Sequence, residues 1–185
     1  MTTPTPRSAS TPNSGGRLVP RVLVGAVAIA AFAVASTGSA SAVEDTGTTD
    51  ANVVVGSAIT LTDLTPSFEL SGMPGATVTG LAAVTYTVET NNVAGYTVTV
   101  QSQTPTMVAT AVGNTDSIPI TALTAREGGI GTYSALSSAA ALPVHSQATR
   151  SAEGGDDLTT DFQIAIPFVN SDTYTATLDY VAATL

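Results

Sequence analysis

The 185-residue chain is long enough for one well-cored domain and too short for two. It carries 14 acidic residues against five basic ones, all of them arginine, for a net charge of −9. Nucleic acid is thereby set aside as a partner, because a phosphate backbone is bound by clustered basic side chains that displace counterions. The chain has no cysteine and one histidine, which removes disulfide staples, thiol catalysis and His-clustered zinc from consideration.

Three of the five arginines, Arg7, Arg17 and Arg21, precede a stretch without charge from Val22 to Val43. The apolar run "VLVGAVAIAAFAVA" and the small residues "SASA" that follow predict a secretory signal over residues 1–42, cleaved after Ala42. The alternative is a retained membrane anchor, but the run from Val22 to Ala35 falls short of the roughly 20 apolar residues a spanning helix needs. The expected location is outside the cytosol, secreted or held at the cell wall, with a membrane involved only through an uncleaved leader. Low charge and abundant Thr, Ala, Val and Gly lean towards a high-GC Gram-positive bacterium. From Glu44 onward two arginines face all fourteen carboxylates, a net −12 with His145 neutral.

Residues 43–51, "VEDTGTTDA", are acidic and aperiodic and read as a flexible tail, with one domain expected over 52–185. In "NVVVGSAITLT", Val53, Val55, Ile59 and Leu61 fall on one face at period two, which predicts a strand from about Asn52. Val84, Tyr86 and Val88 alternate with polar residues; "NNVAG" supplies a turn; Tyr96, Val98 and Val100 alternate in turn. This predicts a β-hairpin. A second hairpin is expected at the C-terminus, with Phe162, Ile164, Ile166 and Phe168 on one strand, a turn at Asn170–Asp172, and Tyr174, Ala176, Leu178 and Tyr180 on the returning strand.

Pro167 within that first C-terminal strand implies a bulge or an open edge. An open final strand beginning near Thr173 would offer a docking edge. "SIPITAL", "GTYSAL" and "LPVHSQ" read as shorter strands, and Tyr133–Leu142 as a weak helical turn. Many short strands without βαβ alternation predict an all-β fold, an antiparallel immunoglobulin-like β-sandwich, with a partly closed β-barrel as the alternative.

His145 has no Gly-x-Ser-x-Gly elbow to accompany it, and its expected place is a strand-edge surface. Glu69, Glu89, Asp63 and Asp179 could supply the carboxyl pair of a glycosidase, but they lie among threonines and no Trp is present to stack on a sugar. No catalytic residue is therefore assigned. In "EGGDDLTTD", Glu153, Asp156, Asp157 and Asp161 gather hard oxygen ligands of the kind Ca²⁺ uses, and the competing reading is a solvated acidic loop. No other cofactor is expected.

"GYTVTVQS" (Gly95 to Ser102) and "FQIAIPFVNSDTYTATLDYVAATL" (Phe162 to Leu185) resemble the two signature regions of the WxL domain of Gram-positive surface proteins. Tyr96 and Tyr180 stand where that family has tryptophan. The resemblance implies a domain held non-covalently at the cell wall, acting in surface display or adhesion, with Tyr96, Val98 and Tyr180 as candidate wall or ligand contacts. Core packing is the competing reading of both tyrosines. The expected function is a non-catalytic surface or wall-associated structural or binding protein. Its partners would be cell-wall polymer, other surface proteins or copies of itself. The alternative is an exported hydrolase or inhibitor with its site on the loops between Thr104 and Asp161.

Overall fold

The computed structural model describes residues 44–185, so the predicted signal over 1–42 lies outside the described residues. The chain divides into Met1–Asp50 and Ala51–Leu185. Of the first unit, the described part from Glu44 is exposed and without regular structure.

Ala51–Leu185 is an antiparallel β-sandwich. Its strands are β1 (Ile59–Thr62), β2 (Thr77–Thr90), β3 (Tyr96–Ser102), β4 (Thr106–Ala109), β5 (Ser117–Pro119), β6 (Leu123–Glu127), β7 (Ser134–Ala135), β8 (Leu142–Gln147), β9 (Asp156–Ala165), β10 (Tyr174–Thr175) and β11 (Leu178–Thr184). Only a 3₁₀ turn at Ile120–Ala122 is helical among the described residues. One layer is a five-stranded sheet in the order β1-β2-β9-β6-β7. The other holds β11-β3-β8 and β10-β4-β5. These two three-stranded sheets share continuous chain, since β3 runs on into β4 and β10 into β11, and Gln103 N donates to Thr177 O at 3.0 Å across the break. They form one bent layer with β10 and β11 along its outer edge. No sheet closes on itself among the described residues, which sets the barrel aside.

Alternation of Val and Tyr with Thr builds these strands, because branched and aromatic side chains suit a pleated, half-buried surface. The inward faces meet between the layers. Val84, Tyr86 and Val88 come from β2, Phe162 and Ile164 from β9, and Tyr96, Val98 and Val100 from β3, all buried in one core. Burying each such side chain contributes on the order of 1.5–3 kcal/mol.

Most of the predicted strands exist, the returning C-terminal one broken into β10 and β11 of different sheets, but neither predicted hairpin does. β2 pairs with β1 and β9, whereas β3 pairs with β11 and β8, so "NNVAG" carries the chain from one layer to the other. In the same way β9 lies between β2 and β6, while β10 and β11 cross to pair with β4 and β3. Period two reports which face of a strand is apolar, and two strands facing each other across a core share that signal with two strands side by side. At the first crossover Gly95 has φ +94°, and a Cβ there would run into the Gln147 carbonyl.

Three further expectations are corrected. The first strand begins at Ile59 and not near Asn52; Val53, Val54 and Val55 pair with nothing and are 88%, 94% and 76% exposed. β9 ends at Ala165, so Pro167 lies beyond it and Phe168, 94% exposed, faces solvent. Tyr133–Leu142 forms β7 and the start of β8 instead of a helical turn, with Leu136 buried and its N–H bonded to Leu123 O at 3.0 Å. The open final strand expected near Thr173 is present as β10 and β11, both at sheet edges.

Candidate functional site

The two layers splay apart at one end and leave an apolar cleft of about 830 Å³. Val84, Leu123 and Ile164 line it from the five-stranded sheet, and Met107, Ile118 and Leu178 from the other layer. Residues 64–74 form a strap along one rim, held by Thr65 N to Thr85 O at 2.9 Å and by Phe68 stacked on Phe162 at 4.4 Å between ring centres. Gly80 lets the strap close in, since a Cβ there would stand 2.9 Å from Leu70 Cδ2. The opposite rim is Val169–Tyr180, which includes β10 and the start of β11. An open strand edge thus runs beside an apolar trough. The volume is within the roughly 300–1,000 Å³ usual for ligand pockets.

Polar groups at the floor of the sandwich are few and unusual. Tyr180, which lines the cleft, packs its ring 5.4 Å from that of Tyr86. The buried hydroxyls of Tyr86, Tyr180 and Thr160 have no hydrogen-bond partner. Burial pushes the Tyr86 and Tyr180 phenols up, and the neighbouring Thr160 hydroxyl opposes that in part.

Of the three predicted contact residues, the fold leaves one at the cleft. Tyr96 and Val98 are fully buried, so neither can meet a wall polymer or ligand, and the packing reading of Tyr96 prevails. Tyr96 Oη donates to Asp156 Oδ2 at 2.8 Å, and burial followed by that carboxylate pushes the phenol up. Tyr180 is half-buried with its ring at the cleft wall.

The four acidic residues considered for Ca²⁺ are not brought together. Glu153 is exposed in the turn before β9. Asp156 accepts from Tyr96, Gln147 Nε2 at 3.2 Å and Ala152 N at 3.0 Å, while Asp157, adjacent in the strand, accepts from Thr87 Oγ1 at 2.8 Å. Asp161 is buried and accepts from Ala82 N at 2.8 Å, Gly129 N at 3.0 Å, and Arg126 Nε and Nη2 at 3.0 and 2.9 Å. Ala82 sits at φ 47° in the bulge between Gly80 and Val84. Asp161 therefore ties the β2 bulge to the β6–β7 turn. Burial pushes its carboxyl up, but the bonds from Ala82 and Gly129 and the Arg126 guanidinium outweigh this and hold it below the usual carboxylate value. No group of three or more His, Asp or Glu side chains converges among the described residues.

His145 lies on the edge strand β8 but is not a surface side chain. It is 9% exposed, packs 5.3 Å from the Tyr96 ring and places Nδ1 2.8 Å from Glu127 Oε1. Its Nε2 is buried without a partner, and no hydroxyl nucleophile meets it. A recess of about 330 Å³ lies beside this pair. Sequence reasoning missed the cleft itself. The strap carries no period, and the cleft exists only because elements distant in the chain meet. Comparison with known protein-family models and with curated protein sequences finds no match to this chain.

Proposed function

We propose that this chain is a non-catalytic, exported surface protein that binds extended polypeptide in the cleft between its layers. The observation that carries the reading is the 830 Å³ apolar trough lying along an open strand edge, β10 and β11. Main-chain groups of an edge supply hydrogen bonds to an added strand, and a trough beside it accepts every second side chain. Such a cleft suits another surface protein better than wall polymer, because its floor, with Val84, Met107, Ile118, Leu123 and Ile164, is aliphatic and Tyr96 is enclosed in the core. The WxL-like resemblance supports a role at the wall, and its two regions include the adjacent strands β3 and β11, paired from Leu178↔Ser102 to Thr184↔Tyr96.

Cell fractionation with N-terminal sequencing tests this. The expected product begins at Val43 and is found in the wall fraction or the medium, without hydrolytic activity on peptidoglycan or peptides. Recovery from the cytosol with Met1 attached, or an activity abolished by replacing one carboxylate, would overturn it.

A further inference from the structure

The segment before β1 has the wrong environment for its sequence. Val53 and Val55 continue the apolar face of Ile59 and Leu61 at period two, yet from Ala51 to Ala58 the chain is exposed and makes no strand pairing. Three consecutive valines have high strand propensity, and their exposure is costly unless something covers them.

Their position bears on what can cover them. Ile59 pairs with Thr90, and Ala58 N and Gly56 O bond the side chain of Asn91 at 2.8 Å each. Residues 52–55 thus leave the sandwich where β2 ends, beside Asn92, whose Nδ2 also donates to Leu185 O at 3.1 Å. The cleft lies at the other end of the layers, around Met107, Ile118 and Ile166. A chain leading directly into Ile59 cannot also reach the cleft of its own sandwich.

We propose that Asn52–Val55 of one copy, the part that precedes the bonds to Asn91, adds as a strand to the β10–β11 edge of a second copy, placing alternate valines in its cleft. This rests on the reading of the cleft as a site for extended polypeptide and names the occupant. Four residues span roughly 13 Å as a strand, about the length of edge from Tyr174 to Leu178 that lines the cleft. Donor and acceptor sit at opposite ends of one molecule, so the contact is head-to-tail and propagates as a filament or closes as a ring. Charge opposes it, since Asp50 precedes the donor and Glu69 and Asp172 line the acceptor, so salt strengthens assembly by screening.

The chain has no native cysteine, so single cysteines report the contact cleanly. The full chain is purified in the form in which cells accumulate it, carrying either Val55→Cys or Ala176→Cys, and the two are mixed under mild oxidation. A mixed disulfide between the variants is expected, together with concentration-dependent assembly in sedimentation velocity. Val53→Asp/Val55→Asp, whose native side chains are exposed in the monomer, shifts the assembly midpoint by more than about a hundredfold while leaving the melting profile of the monomer intact. A monomer at every concentration and salt, or assembly unaffected by the double variant, would overturn the inference. A wall-associated chain that stays monomeric sinks this inference alone. A cytosolic chain that still cross-links 55 to 176 sinks the functional reading alone.

Discussion

Tyr96 on β3 and Asp156 on β9 join the two layers of the sandwich through one hydrogen bond of 2.8 Å. Burial pushes the Asp156 carboxyl up, and the bonds from Ala152, Tyr96 and Gln147, with His145 nearby, more than reverse it. Tyr96→Phe keeps the ring in the core and removes only the donor. The expected loss is about 1–2 kcal/mol in urea unfolding at neutral pH, and an unchanged midpoint would show that the bond is of no net value.

The phenols of Tyr86, Tyr96 and Tyr180 are all pushed up, chiefly by burial. A group whose folded value is raised favours the protonated folded state. Its stability is fully present below the unfolded value of about 10 and is lost as pH rises above it. Absorbance titration at alkaline pH should show these tyrosines ionising only together with loss of the β-sheet circular dichroism signal. Ionisation of all five tyrosines of the chain while the sheet signal persists would contradict the burial argument.

Asp156 and Asp161 shift the other way, so their contribution is present above the unfolded value of about 3.9 and disappears as pH falls through the lower folded values. Asp161→Asn leaves Arg126 without its carboxylate and weakens the bonds from Ala82 and Gly129. The side chain of Arg126 is 23% exposed, which keeps the expected cost to about 2–3 kcal/mol, less than breaking a fully buried pair costs. Urea midpoints measured from pH 7 down to pH 2 should fall less steeply for the variant than for the parent. Parallel curves would remove Asp161 from the acid response.

Gly95→Ala and Gly154→Ala separate steric need from conformational preference. Both glycines have positive φ, at +94° and +87°, but only the Cβ at position 95 meets neighbouring backbone, while that at 154 meets open space. The first substitution should cost about 3 kcal/mol or more and the second about 1 kcal/mol, measured by thermal melting. Equal costs would mean that the first crossover is not tightly packed.

Much of the strand inventory was legible because period two is a local property. β2, β3 and β11 follow from which side chains repeat on one face, and "LPVHSQ", read as one of the shorter strands, coincides with β8 residue for residue. Val53 and Val55 show the limit of the same signal, since they carry the pattern of a strand without a partner in the monomer.

The amino-acid order by itself therefore determined that this is a disulfide-free, acidic chain of alternating strands with an all-β fold, because composition and side-chain alternation need no distant contact to be read. Only the tertiary structure decided which layer each strand enters, that Tyr96 and Asp156 satisfy each other, that Asp161 is held by Arg126, and that a cleft opens beside β10 and β11. Those outcomes depend on pairing between residues about 35 to 80 positions apart, and the chemistry of a carboxylate or a phenol is set by the groups that reach it in space.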